Sequence, residues 1–180
     1  RTRLLGQLMP EGWEATRATA TLIDGTHRER LCDYDAERLS LVLRSAPARG
    51  RVPLMALPGG GEDSDYGSWD VRGAVVLTAG PVQRVHQLAV VERGAAGLVT
   101  DGRRLLPPVR DRFDDPDAVA YPSFWWAPEE PRGWGFAVSP RAGERLRERL
   151  AGGHRLELEV EIESRFFPTR IPLLSTRITG

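Results

Sequence analysis

Apolar and polar residues along the chain mark out short β-type runs interrupted by two helical ones. From Glu14 to Leu22, small and β-branched residues alternate with polar ones until Asp24-Gly25, which predicts a strand closed by a turn. Leu39-Ser40-Leu41-Val42-Leu43-Arg44 predicts a second strand, ended by Ala46-Pro47, and Arg51 to Leu57 a third, ended by Pro58-Gly59-Gly60-Gly61. The stretch from Pro58 to Asp70 is rich in Gly, Asp and Ser and predicts a loop. Gly73 to Thr78 is an unbroken apolar run, the pattern of a strand buried on both faces. After Gly80-Pro81, the residues Val82, Val85, Leu88 and Ala89 recur at helical spacing, which predicts an amphipathic helix with Gly94 as its left-handed stop. Gly97-Leu98-Val99-Thr100 then predicts another strand, so that strand, helix and strand make a βαβ-type unit if the strands run parallel.

Arg103 to Arg132 shows no periodicity and is rich in acids and prolines. Gly135-Phe136-Ala137-Val138 predicts a strand, and Ser139-Pro140 the cap and first residue of a helix whose apolar face is Ala142, Leu146 and Leu150. Gly152-Gly153 ends that helix. Leu156 to Glu163 alternates strictly, one face buried and one wet, and Ile171 to Thr179 predicts a last apolar strand. The expected fold is α+β and mainly β: a mixed sheet or open β-barrel of seven to eight strands, flanked by two helices. The helix faces Val85/Leu88/Ala89 and Ala142/Leu146/Leu150 are expected to bury against the strands around Val75 and Val99.

Composition narrows the classes. At 180 residues, 41% hydrophobic and 28% charged, the chain is about one ordinary soluble domain, too apolar for a disordered one. It holds no run of some 18 apolar residues that would span a membrane. A formal net charge of zero offers no basic excess for nucleic acid. All 25 basic residues are Arg, and without Lys there is no phosphate-loop lysine and no Schiff base. The lone Cys32 excludes an internal disulfide and every two-cysteine metal ribbon, and reads as a buried small hydrophobe. Residues 1–12 lack the apolar core of a signal peptide; a start at Arg1 and an end straight after an apolar run read as a piece of a longer chain.

Catalytic patterns are absent from the sequence. There is no G-x-S-x-G elbow and no H-E-x-x-H, and His27, His86 and His154 fall on three different elements. The run Gly59-Gly60-Gly61 lacks the helix that a phosphate loop would open. Asp111, Asp114, Asp115 and Asp117 are interrupted by Pro116 and flanked by Arg110 and Arg112, so they read as a solvated loop and not a calcium site. Glu157, Glu159, Glu161 and Glu163 read as a solvated strand face. No catalytic and no metal-binding residue is expected. The densest aromatic cluster is Tyr121, Phe124, Trp125, Trp126 and Trp134, with Glu129 and Glu130 beside it. Such a loop can line a recognition groove or simply pin itself to the core, and the sequence leaves both open.

Four segments, read in order, carry a family resemblance. Asp70-Val71-Arg72-Gly73-Ala74-Val75-Val76-Leu77 is similar to a V-x-G-K-I/V-V-L strand, with Ala74 in place of the usual basic residue. Glu92-Arg93-Gly94-Ala95-Ala96-Gly97-Leu98-Val99 is similar to the end of A-x-x-x-G-A-x-G-V/I-I/L. Phe136 to Leu146 is similar to I/V-S-x-x-x-G-x-x-L, and Leu173 to Gly180 to N-V-I/V-A-x-I/L-x-G, with Leu174 and Ser175 where Asn-Val is usual. Together they resemble the protease-associated (PA) domain of M28-type zinc aminopeptidases. The resemblance covers residues 69–180; residues 1–12 would be an N-terminal segment and 13–68 a strand-rich lead-in packing on the main domain.

The resemblance implies a non-catalytic accessory domain that covers or gates the active site of a metallo-aminopeptidase, or binds substrate or partners, secreted or at the cell surface. It implies no cofactor on this chain. Zinc and its ligands would belong to a peptidase domain after Gly180, which with a peptide substrate would be the partner. The long loop would face that domain, its aromatic faces taking apolar peptide side chains while Glu129 and Glu130 attract a free amino terminus. The alternative is a free-standing β-rich binding module with the aromatic loop as its site.

Overall fold

The strictly alternating segment near the C-terminus becomes an interior strand of the sheet. In the computed structural model, which describes residues 3–4, 7–8, 11–103, 106, 108–109, 114–125 and 130–169, a first hairpin joins β1 (Arg3–Leu4) to β2 (Gln7–Leu8). The main sheet is built from β3 (Gly12–Asp24), β4 (His27–Asp33), β5 (Ala48–Ala56), β6 (Val75–Thr78), β7 (Gly97–Thr100), β8 (Gly135–Ala137) and β9 (Leu156–Phe167). Its seven strands run in the order β4-β3-β9-β5-β6-β7-β8. The β4-β3-β9-β5 half is antiparallel, whereas β5, β6, β7 and β8 run parallel to one another. In the register of β3 against β9, Ala18, Ala20 and Leu22 face Ile162, Val160 and Leu158, so two small residues meet large ones and one leucine pair completes the buried face.

The barrel is nearly closed by a segment that belongs to no strand. After β4, a 3₁₀ turn at Arg38–Ser40 is capped by the Glu37 carboxylate, which accepts from the Leu39 amide at 2.9 Å. Leu41 then bridges Phe136 of β8, the Val42 amide donates to the Gly135 carbonyl at 3.0 Å, and the Cys32 thiol lies 3.7 Å from the Ala137 carbonyl. Here the structure departs from the expected strand over Leu39–Arg44. Leu41 and Val42 are apolar because they plug into two different clusters, and the chain then turns, with Arg44 at φ 66° and the Ser45 hydroxyl donating to the Val42 carbonyl at 2.6 Å. Burial pushes the Cys32 thiol up to about 12, as suits a packed and unreactive side chain.

β4 has no counterpart among the expected strands. It is an edge strand, and its outward Arg28 and Arg30 hide the alternation behind charge. Its one local signal is Asp24-Gly25: Asp24 pairs with His27 across a two-residue turn in which Gly25 has φ 61°.

β6 and β7 are buried on both faces, which explains their unbroken apolar sequence. One face joins Val75, Leu77 and Val99 to the barrel interior; the other sets Val76 and Leu98 against Val85, Leu88 and Ala89. The latter three lie on α1 (Val82–Val85), which continues as a π-helical stretch, His86–Val91, and not as the single α-helix expected. Gly94 stops it at φ 74°. α2 (Pro140–Ala151) begins as predicted, the Ser139 hydroxyl accepting from the Ala142 amide at 3.3 Å. Its Leu146 joins the interior cluster, with Ala142 and Leu150 packed against it. Arg147, the residue after Leu146, donates twice to the fully buried Asp101 carboxylate just after β7, at 2.5 and 2.8 Å. Gly143 is required beneath that pair, because a Cβ there would stand 2.3 Å from the Asp101 Oδ2. The strand expected at Ile171 to Thr179 lies outside the described residues.

Leu146 is 2% exposed, so its replacement by Ala leaves a cavity between α2 and the barrel. A loss of about 2–5 kcal/mol is expected in urea unfolding. A loss below about 0.5 kcal/mol would remove α2 from the core.

Candidate recognition site

The chain between β7 and β8 is anchored at several points. At its start the Arg103 guanidinium donates to the carbonyls of Asp114 and Asp115, so the loop turns back on itself, with Asp115 at φ 54°. Asp117 pairs with Arg141 at 2.7 Å and the Arg141 amide donates to the Pro116 carbonyl, which docks the turn on the first residues of α2. The aspartates therefore bond to arginines or lend their carbonyls to them; Asp111 lies outside the described residues.

Further on, Ser123 bridges Leu43, and the Phe124 amide donates to the Leu43 carbonyl at 3.1 Å. Phe124 is fully buried, its ring edge-on to His86 with centroids 5.7 Å apart. The Trp125 amide donates to the Gln83 side-chain oxygen at 2.9 Å, tying the loop to α1. Trp134 returns to the core against Phe136, with centroids 6.1 Å apart, and lies flat on Gly97, where a Cβ would fall 2.6 Å from the indole.

The aromatic cluster is thus divided. Phe124 and Trp134 are core side chains that fasten the two ends of the segment. Tyr121 and Trp125 point outward, 70% and 73% exposed, and Glu130 is exposed too. Trp126 and Glu129 lie outside the described residues. Among those described, four of the six exposed large hydrophobics (Leu106, Val109, Tyr121 and Trp125) belong to this one connection, which makes it the apolar part of the surface.

Sequence reasoning did not single out Gln83 and His86, which stand three residues apart under the loop. Their spacing on one helix was the available signal. His86 is buried, and burial lowers its pKa below the ordinary 6.5, with the Glu130 carboxylate opposing the shift more weakly. Gly133 presses on the ring; a Cβ there would stand 2.6 Å from Cδ2.

Among the described residues, no three His, Cys, Asp or Glu side chains gather as metal ligands, and these residues do not fit a zinc ion. His154 is bonded to Asp24 at 2.6 Å, and Asp24 is held below the usual carboxylate range first by Arg149, then by His154. Among the same residues no helix is long and apolar enough to cross a membrane.

No protein-family model and no curated protein matches this sequence. Solved structures do match. The fold superposes on part of an aminopeptidase from Aneurinibacillus sp. strain AM-1 with a TM-score of 0.59 and 13% identity, covering 87% of this chain and 33% of that one. A peptidase M28 precursor from Shewanella amazonensis SB2B matches with a TM-score of 0.57 at 11% identity, over 88% of this chain and 36% of that one. A zinc aminopeptidase from Bacillus subtilis matches with a TM-score of 0.52 at 14% identity, over 87% and 34%. The chain carries the fold of about one third of these enzymes. At such identities the likeness is one of fold, and site chemistry has to be argued from the residues themselves.

Because the pKa of His86 is lower folded than unfolded, the unfolded chain takes up its proton first as pH falls. Stability is expected to decline from about pH 6.5 downward until the folded imidazole also protonates. Urea midpoints between pH 7.5 and 5, compared with a His86→Leu variant lacking that component, check this. An identical decline in both would put it elsewhere.

Proposed function

We propose that this chain is the non-catalytic accessory region of an M28-type zinc aminopeptidase, a PA-like domain that covers or gates the active site and contributes to binding of substrate or partner. The observation that carries the reading is the fold match over seven-eighths of this chain to only a third of enzymes of that kind. In this reading residues 69–180 form the PA-like part and 13–68 its lead-in, and zinc belongs to a peptidase domain encoded after residue 180. The loop with Tyr121 and Trp125 faces that domain. Its two outward rings suit apolar side chains of a peptide, while Glu130, and with it Glu129, favours a substrate's free amino group.

Two measurements test this. The isolated chain is expected to hold no stoichiometric zinc after dialysis and to cleave no aminoacyl substrate; one zinc per chain would overturn the accessory assignment. In the full-length enzyme, Tyr121→Ala with Trp125→Ala is expected to lower kcat/KM about tenfold on peptides with apolar residues, mainly through KM. Unchanged kinetics across several aminoacyl substrates, with folding intact, would leave the loop a structural strap.

A further inference from the structure

On a chain whose formal net charge is zero, the outward face of the antiparallel half gathers arginines of β3, β4 and β5 around the glutamates of β9. β9 turns Glu159 and Glu161 outward, and β5 sets Arg51 and Arg49 directly opposite them. On the other side β3 offers only Thr21 and Thr19 at the same register positions, while β4 places Arg30 opposite Thr21 and Arg28 opposite Ile23. Two short side chains between taller walls make a trough of about 660 Å³, completed by Arg17. Five guanidinium groups line it against two carboxylates; Glu157, at its border, is paired with Arg51.

The ion pairs do not use up this capacity. Arg17 and Arg49 share the single Glu161 carboxylate at 3.4 and 3.5 Å, and Arg28 pairs with Glu159. Arg30 is exposed and makes no side-chain hydrogen bond or ion pair among the described residues, and the Arg49 side chain is 83% exposed. Guanidinium forks match carboxylates in a two-bond geometry, and exposed pairs of this kind exchange partners readily.

We propose that this trough docks an acidic peptide segment, with Arg30 on one wall and Arg49 and Arg51 on the other taking its carboxylates. The spacing fits an extended chain. The walls stand three strand spacings apart, about 14 Å, which acidic side chains at positions i and i+4 of an extended peptide span. The floor selects against a continuous polyanion. Glu159 and Glu161 interrupt the positive face and repel an evenly charged polyphosphate or nucleic acid, whereas a peptide can set an uncharged residue over them. The trough lies apart from the aromatic loop, so the inference does not rest on the accessory-domain reading.

The test uses the 180-residue protein and a fluorescein-labelled peptide with glutamates four residues apart and Ser and Ala between them, followed by fluorescence anisotropy. Binding is expected at about 20 mM salt and tenfold or more weaker at about 300 mM. It should also fall at least tenfold in an R30E/R49E variant with wild-type circular dichroism and melting temperature. Should that variant not fold, Arg30→Gln alone is read instead, Arg30 having no partner to lose, with a severalfold loss expected. No binding by the wild type, equal binding of the Glu→Gln peptide, or undiminished binding by the variants overturns the proposal. Tighter binding of inorganic polyphosphate, lost in the same variants, assigns the face to phosphate polymers and overturns it as well.

Discussion

Between Leu156 and Phe167 the chain passes once through the sheet with hydrogen-bonded neighbours on both sides, and that passage positions everything else. Its inward residues Leu158, Val160 and Ile162 form one wall of the barrel interior. Its outward glutamates recur every second residue, and without compensation they would repel one another along the strand. The arginines of β3, β4 and β5 supply that compensation. Because β5 is antiparallel to β9 yet parallel to β6, it is also the strand at which the sheet changes from antiparallel to parallel pairing. The links from β5 to β6, β6 to β7 and β7 to β8 must each return to the same end of the sheet, which is why α1 and the long loop lie there. α2, which leads from β8 to the antiparallel β9, reaches across to β4 and β3, where Arg145 and Arg149 pair with Glu29 and Arg149 with Asp24.

A second constraint sits where β7 ends. The Asp101 carboxylate is out of contact with water and is held by both nitrogens of the Arg147 fork, so α2 cannot shift along the barrel without stranding a buried charge. The same packing explains a glycine within α2, although Gly inside a helix costs about 1 kcal/mol relative to Ala. At Gly143 the helix backbone runs so near that carboxylate that a Cβ would stand 2.3 Å from its Oδ2. A fixed β7 end and a fixed α2 start give the connection between them its anchors, Arg103 at one side and Arg141 at the other.

What could be read from the sequence divides along the same physical lines. Gly73–Thr78, Gly97–Thr100, the cap at Ser139-Pro140 and the alternation from Leu156 were legible because each follows from a local rule: burial on both faces, helix initiation, a period of two. Leu39–Arg44 and His27–Asp33 were not, because neither is decided locally. The first is apolar since it wedges between two clusters brought together by the fold, and the second is a strand only because β3 pairs with it. The aromatic segment was legible as a cluster but not as a division of labour, for nothing in its composition separates Phe124 and Trp134, which enter the core, from Tyr121 and Trp125, which do not. The glutamate face was legible on β9, whereas its arginine walls depend on the register of three other strands.

The division of the aromatics bears on why the outward pair is there at all. Phe124 buried against His86, Trp134 against Phe136 and the Trp125 amide on Gln83 already fix the segment. The Trp125 indole adds little to that anchoring, since most of its surface remains in water. A Tyr or Trp ring loses little conformational entropy when it is covered, having only two side-chain torsions, and brings a large apolar area with one polar edge. In the proposed function Tyr121 and Trp125 would serve as anchors for contact with another surface, on a backbone that the core holds still. The arginine trough works by the opposite means, since charge acts at a distance and is screened by salt while apolar contact is short-ranged and is not. If both proposals hold, the two faces answer to different partners' chemistry, and ionic strength would separate their contributions in a single preparation of the protein.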